Sequence, residues 1–317
     1  MLSIGSGSRK TRIVVAILVG TIAAIFRYAE YARTSGLHSD FGAVWFGATS
    51  LLHHVNPYPL VGPGRSFDWD YYLNYPATAM VAVLPLALLS ELHATLIFVW
   101  LTMAAMTYAM TGDGWQRIWV IPSAAFIVAA RAAQWSPLFC AAFFIPALGL
   151  VLSAKPTLGV VVFARDPSRG VLVYAIIGTV VLGAISLALM PAWPLEWFRN
   201  LQLNEFKPAF MWPFGFFTLL AALRWRQPEG RLLLAMSLVP LTPSWYEALP
   251  LLFVGRTKRE YQVLSLISSA GYIAQGFFSP NFQYVPVRFT KVLILAFCYL
   301  PALIVVLRRQ DLKKVQR

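Results

Sequence analysis

The sequence predicts an all-α, polytopic membrane protein, and three observations support this fold class. Of the 317 residues, 58% are hydrophobic and 12% are charged, whereas about a quarter of a soluble globular chain is charged. The mean hydropathy is +0.64, and apolar runs recur along the whole chain. The sequence lacks the short alternating strands that a membrane β-barrel requires. We therefore predict a single transmembrane domain over residues 1–317.

The formal net charge of +13 indicates membrane topology rather than nucleic acid binding. Most Lys and Arg residues fall in five short patches at the ends of apolar runs: 9–12, 165–169, 224–231, 256–259 and 308–317. Cytoplasmic loops of membrane proteins carry such an excess of basic residues. The pattern predicts a multi-pass protein of the plasma (inner) membrane, with both termini in the cytoplasm and no nucleic acid partner.

The apolar runs predict a bundle of about 9–11 transmembrane or re-entrant helices, some of them shorter than a simple crossing requires. These runs lie near 12–30, 76–90, 92–110, 117–130, 137–153, 170–190, 212–223, 231–253, 262–278 and 290–307. With the basic patches inside, residues 31–75 form a first external loop and 191–211 a second. Three prolines interrupt 231–253, so this segment is predicted to be a broken helix or a re-entrant hairpin.

Within the first external loop, a helical pattern begins at Asp40. Apolar residues follow with helical spacing up to Leu52, which predicts a short amphipathic helix on the membrane interface with Trp45 at head-group depth. Two interpretations of Asp40 remain open at this point. It caps the helix, as Asp commonly does, or it is a general base held at the membrane surface.

The run Asp68-Trp69-Asp70-Tyr71-Tyr72 in the same loop allows three interpretations. Aromatic rings beside carboxylates suit sugar binding. Two Asp residues separated by one position also occur in metal sites that hold diphosphates through hard oxygen ligands. The third possibility is an aromatic belt at the interface with solvated acids.

Several stretches resemble glycosyltransferase family 87, a group of polytopic enzymes in the GT-C superfamily. Its opening pattern is similar to Ser39-Asp40-Phe41, Asn56-Pro57-Tyr58 and Tyr75-Pro76. Later elements of the family resemble Ala133-Gln134-Trp135-Ser136, Lys155-Pro156-Thr157 and Ser244-Trp245-Tyr246. This chain departs from the family in two places: Ala133 replaces a glycine, and Tyr246 and Glu247 stand where the family has a histidine.

The resemblance implies an enzyme that transfers a sugar, mannose in this family, from a polyprenyl-phosphate donor. The acceptor is a lipid-linked or cell-envelope glycan on the extracytoplasmic side, and the reaction is a single inverting displacement with Asp40 as base. Lys155 and Arg131 are the candidates for binding the donor phosphate, because they interrupt apolar runs where charge is costly. Candidates for sugar or acceptor binding are His38, Asn56, Tyr58, Asp68, Asp70, Tyr75, Gln134, Trp245 and Glu247.

We expect neither a metal nor any other cofactor, because the four histidines lack helical zinc-binding spacing. The expected partners are the donor lipid, the acceptor glycan and membrane lipids. Two other classes stay open. Broken helices and intramembrane charges also suit a lipid or polyprenyl-phosphate transporter or flippase. The missing histidine also suits a non-catalytic membrane scaffold of GT-C ancestry.

Overall fold

The computed structural model describes residues 8–34, 38–278 and 287–309, and the described chain is mostly helical. It divides into two compact units, which are described separately. The first unit comprises Met1–Trp115 and Ile127–Glu205, and the second comprises Gln116–Phe126 and Phe206–Arg317. The single domain expected from the sequence stays a prediction.

The first unit contains eight α-helices and the end of a ninth. They are α1 (Arg9–Arg33), α2 (Asp40–Leu52), α3 (Ala77–Ala82), α4 (Glu91–Met110), the end of α5 (Ala124–Arg131), α6 (Ser136–Ala142), α7 (Pro156–Arg165), α8 (Arg169–Leu189) and α9 (Trp193–Leu203). Two 3₁₀ segments, Leu84–Leu88 and Pro146–Ala154, complete it. Helix α1 packs along α4, and α8 packs along the second 3₁₀ segment.

In its described residues, the second unit combines 3₁₀ segments of 3–10 residues with α-helices of 8–21 residues. Its 3₁₀ segments are Gln116–Val120, Ala209–Met211, Gly215–Arg224 and Trp245–Val254. Its helices are α10 (Pro228–Leu238), α11 (Lys258–Phe278), α12 (Val287–Ile294) and α13 (Leu300–Leu307), with a π-helical turn at Leu295–Tyr299 between the last two. Strands β1 (Lys207–Pro208) and β2 (Pro240–Leu241) pair antiparallel. Residues 231–253 are therefore not one continuous helix.

Four helices in the described ranges are long and apolar enough to cross a membrane: Arg9–Arg33, Glu91–Met110, Arg169–Leu189 and Val287–Leu307. Of the other apolar runs in the described residues, 262–278 lies within the 21-residue helix α11, and the rest form shorter or interrupted segments. The number of long apolar helices is thus smaller than the sequence pattern predicts. Prolines within the runs account for part of this difference. Prolines at 85, 122 and 146 stand inside three of the predicted spans, and each run divides into a short α-helix and a 3₁₀ segment around its proline.

Helix α2 has the predicted bounds and lies largely inside the first unit. Most of its residues are buried, and the Trp45 indole donates a hydrogen bond to the Leu89 carbonyl 3.1 Å away. It packs against α3, α4 and the Leu84–Leu88 segment. Helix α2 is thus packed within the first unit, and its place at the membrane interface stays a prediction.

Ion pairs hold the start of α10 in the second unit. Arg256 donates two hydrogen bonds of 2.7 Å to the Glu229 carboxylate, and Arg309 lies 3.2 Å from the same carboxylate. Burial opposes ionisation of Glu229, but the hydrogen bonds and charges of the arginines outweigh it. The pKa of Glu229 is therefore lowered from its ordinary value of 4.5.

Candidate functional site

Asp40 is the first residue of α2, and the capping task falls to its neighbour. The Ser39 hydroxyl accepts a hydrogen bond of 3.2 Å from the Gly42 amide, which is the N-cap interaction. The interpretation of Asp40 as the cap is therefore wrong. Its own amide donates to the Ala132 carbonyl at 3.2 Å, which ties the start of α2 to the turn after α5.

Both oxygens of the half-buried Asp40 carboxylate accept side-chain hydrogen bonds. The Gln134 amide nitrogen donates to Oδ2, and the Trp69 indole donates to Oδ1 at 3.3 Å. An ionised carboxylate only accepts hydrogen bonds, so both donors direct their N–H groups at its oxygens. The two bonds fix the orientation of the carboxylate, which lies at the positive end of the α2 dipole.

Gln134 links the carboxylate to a cation. Its side chain is 1% exposed, and Oε1 accepts hydrogen bonds from Lys155 Nζ at 3.3 Å and from the Tyr75 hydroxyl at 3.5 Å. With two donors facing the amide oxygen, the amide nitrogen must face Asp40, because the reverse orientation would bring donors together. The Gln134 amide therefore lies between the Asp40 carboxylate and the Lys155 ammonium group, with its nitrogen towards Asp40 and its oxygen towards Lys155.

The backbone around Gln134 explains how it reaches Asp40. Helix α5 ends at Arg131, and Ala133 has a φ of +52°, in the left-handed region that favours glycine. The next amide, that of Gln134, returns to the Ala129 carbonyl at 2.9 Å. Ala133 thus adopts a conformation that suits glycine.

Lys155 stands between the Pro146–Ala154 segment and α7, and it is half-buried. Its ammonium lies 5.8 Å from the centre of the Tyr75 ring, within range of a cation–π contact. Four of the residues selected from the sequence therefore meet at one place: Asp40, Tyr75, Gln134 and Lys155. They come from four separate stretches of the first unit.

Two charged candidates have other partners. Arg131 forms an ion pair with Glu30, with Nε 3.4 Å from the carboxylate. His38 Nδ1 lies 2.8 Å from Glu91 Oε2, and the imidazole ring packs on Phe67 with centroids 4.1 Å apart. The geometry therefore favours Lys155 over Arg131 as the cation of the site.

Asn56 and Tyr58 have structural roles. Asn56 accepts a hydrogen bond from the Tyr58 amide at 3.0 Å. Tyr58 is 0% exposed and donates its hydroxyl to the Tyr75 carbonyl at 3.2 Å, and burial raises the pKa of its phenol. A sugar cannot reach Tyr58 in this arrangement, so the structure does not support the predicted contact.

The two acids of the aromatic run differ in their surroundings. Asp68 accepts a hydrogen bond from the Gly64 amide at 2.8 Å and so closes a turn, while Asp70 is exposed. Within the described residues no group of three or more His, Cys, Asp and Glu could hold a metal ion.

Trp245 and Glu247 lie in the second unit, where both are buried. The Trp245 indole donates a hydrogen bond of 2.6 Å to the Gln275 side chain. Their part in substrate binding stays a prediction.

The sequence did not single out Trp69 as a ligand of Asp40. A signal was present, because a buried indole N–H nearly always finds an acceptor and Trp69 stands among carboxylates. The sequence offered no sign of which carboxylate it would choose.

The chain matches no protein-family model, no curated protein and no solved structure.

Proposed function

We propose that this chain is a membrane glycosyltransferase. It transfers a sugar, mannose on the family resemblance, from a polyprenyl-phosphate donor to a lipid-linked or cell-envelope glycan on the extracytoplasmic side. The observation that carries the proposal is the convergence of Asp40, Gln134 and Lys155 from three distant stretches of the first unit. Four long apolar helices are compatible with the membrane setting that a lipid donor requires.

Asp40 is the general base of the proposed reaction. It accepts the proton of the acceptor hydroxyl while that oxygen attacks the anomeric carbon, and the bond from this carbon to the phosphate oxygen breaks. The lipid phosphate leaves as an anion with the bonding electron pair, so the step needs no general acid. Attack opposite the leaving group inverts the anomeric configuration.

Lys155 supplies positive charge for the leaving phosphate. Charge builds up on the phosphate oxygens as the glycosidic bond breaks, and a nearby ammonium stabilises it. The Gln134 amide is hydrogen-bonded to both Lys155 and the Asp40 carboxylate. The amide thus connects the base and the cation within one site.

A transfer assay tests the proposal. Purified protein in nanodiscs receives radiolabelled polyprenyl-phosphate sugars and a panel of glycolipid acceptors, and labelled product is counted. Wild type should transfer the sugar, and Asp40→Asn should reduce the rate by roughly 10²–10⁴-fold, the usual contribution of a general base. The matched control is Asp166→Asn, which alters an exposed carboxylate that is not a candidate for substrate binding and should retain activity.

Equal rates for wild type and Asp40→Asn would exclude Asp40 as the base. Failure of the wild type to transfer any sugar, although it binds polyprenyl phosphate, would instead favour a transporter or scaffold.

A further inference from the structure

Helix α9 holds the segment 58–75 through one of its faces. Trp197, Asn200 and Asn204 share this face and bind backbone groups of that segment. The Trp197 indole donates to the Asn74 carbonyl at 2.9 Å, and the Asn200 amide donates to the Tyr58 carbonyl at 3.0 Å.

Asn204 adds two more hydrogen bonds to the same segment. Its side chain accepts from the Tyr72 amide at 3.1 Å and donates to the Tyr72 carbonyl at 2.9 Å. The segment carries Trp69 and Tyr75, which contact Asp40 and Gln134. The inner face of α9 therefore fixes the backbone that supplies two ligands of the site.

The outer face of α9 carries large apolar side chains. Leu195 is 65% exposed and Phe198 is 59% exposed, one helical turn apart, and Leu203 is exposed at the end of the helix. The polar residues Glu196 and Arg199 form an exposed ion pair of 2.9 Å beside them. This combination of exposed apolar residues and flanking charges is typical of helices that lie at a membrane surface.

The position of α9 in the chain identifies what covers this face. Helix α8 ends at Leu189 and α9 begins at Trp193. Helix α8 has 21 residues, and its most apolar 18-residue window has a mean hydropathy of 2.4 and is 17% buried. Its exposed apolar surface runs the length of a bilayer crossing, so a helix that starts a few residues later emerges at the bilayer surface.

We propose that α9 is an interfacial helix with Leu195 and Phe198 inserted into lipid, and that contact with the bilayer holds segment 58–75 in place beside Asp40. The occupant of the outer face is membrane lipid. Trp193 at the start of α9 suits this depth, because Trp is enriched at membrane interfaces. The proposal requires α8 to cross the membrane but does not depend on sugar transfer.

Lipid quenching of a fluorophore tests the lipid contact. In a Cys140→Ala/Cys298→Ala background, Phe198→Cys is labelled with NBD and placed in nanodiscs of brominated phosphatidylcholine, without sugar donor. Brominated chains should quench most of the emission. Two controls bracket the depth: Val180→Cys in the middle of α8 should be quenched, and the exposed Asp70→Cys should not be.

The pattern of quenching distinguishes the possible failures. Quenching at position 180 but not at 198 would overturn the interfacial placement of α9, and would point to water or a protein partner on that face. Absence of quenching at both positions would overturn the membrane crossing of α8 and the inference with it.

Hydrogen–deuterium exchange tests the connection to segment 58–75. In nanodiscs, Phe198→Asp and Asn200→Ala should both increase exchange at residues 71–75, because one weakens the lipid contact and the other removes a bond to the segment. Gln202→Ala changes an exposed α9 residue and should leave exchange as in wild type. Unchanged exchange in Asn200→Ala would overturn the proposed connection between α9 and segment 58–75. If Phe198→Asp misfolds, the milder variant Phe198→Ser takes its place.

Discussion

The amide of Gln134 stands between a carboxylate and an ammonium group, and three side chains depend on it. Asp40 receives its amide hydrogen, while Lys155 and Tyr75 donate to its oxygen. In a nearly inaccessible position, losing this amide leaves each partner with an unmet hydrogen-bonding group.

Gln134→Leu should therefore lower the free energy of unfolding by about 1–3 kcal/mol, the cost of unsatisfied buried polar groups. Denaturant unfolding in detergent measures the change. Gln202→Leu, at an exposed glutamine on α9, is the matched control and should change little. A Gln134→Leu variant as stable as this control would show that the amide does not hold the site together.

The site was partly predictable at the level of single residues. Asp40, Gln134 and Lys155 could be selected because the motifs around them resemble those of glycosyltransferase family 87. The contact between Trp69 and Asp40 could not be predicted, because a hydrogen bond between residues 29 positions apart depends on the path of the intervening loop. Tyr58 was misjudged because an aromatic residue in a loop can face either the solvent or the core.

At the scale of elements, two glycines of α8 have opposite surroundings. A Cβ at Gly178 would overlap the Leu150 backbone carbonyl, whereas a Cβ at Gly183 would meet nothing within 4 Å. The close contact at Gly178 allows α8 to pack on the Pro146–Ala154 segment that precedes Lys155.

Gly178→Ala should therefore destabilise the protein by about 1–3 kcal/mol, because the backbone of one element must move. Gly183→Ala should be neutral or stabilise by up to about 1 kcal/mol, because alanine favours helix. Unfolding in detergent compares the two variants directly. Equal effects would contradict the close packing of α8 at position 178.

The start of α10 should respond to pH through Glu229. Its pKa is lowered in the folded protein, so the ionised carboxylate stabilises the fold at pH above its ordinary value of 4.5. This contribution is lost as the pH falls through the lowered value. At neutral pH, Glu229→Gln should cost about 2 kcal/mol, since the Arg309 side chain is 10% exposed whereas that of Arg256 is 42% exposed.

Unfolding at pH 7 and below pH 4 measures this effect, and the difference between Glu229→Gln and wild type should shrink at the lower pH. The control Glu196→Gln removes an exposed pair with Arg199 and should cost less than about 0.5 kcal/mol. A difference that grows as the pH falls would contradict the assigned direction.

Helix α2 shows why spacing alone does not reveal how deeply a helix is buried. Its apolar residues recur with helical spacing, so the bounds could be predicted. Its other face carries small residues rather than charged ones, and these allow close packing. Gly47 is an example, since a Cβ there would lie 2.9 Å from Met80 Sδ. A face of small residues can be buried, and hydropathy does not distinguish it from an interfacial one.

At the scale of the whole molecule, composition predicts the class better than the number of crossings. A hydrophobic fraction of 58% suits a membrane protein, and four described helices have the length and hydropathy to cross a bilayer. Most of the remaining apolar runs are shortened by proline and by 3₁₀ turns. Such turns rise further per residue than an α-helix but seldom extend beyond a few residues. Hydropathy alone does not reveal such interruptions.

The proposed function depends most on the role of Asp40 in the chemical step of sugar transfer. Its most direct test is a single-turnover experiment in nanodiscs, in which radiolabelled polyprenyl-phosphate-mannose is bound first and the acceptor glycolipid is added afterwards. Donor binding and transfer rate are measured separately for wild type and Asp40→Asn. If Asp40 is the general base, donor binding should be unchanged and the transfer rate of the variant should fall by roughly 10²–10⁴-fold. Transfer at the wild-type rate by Asp40→Asn would contradict this role.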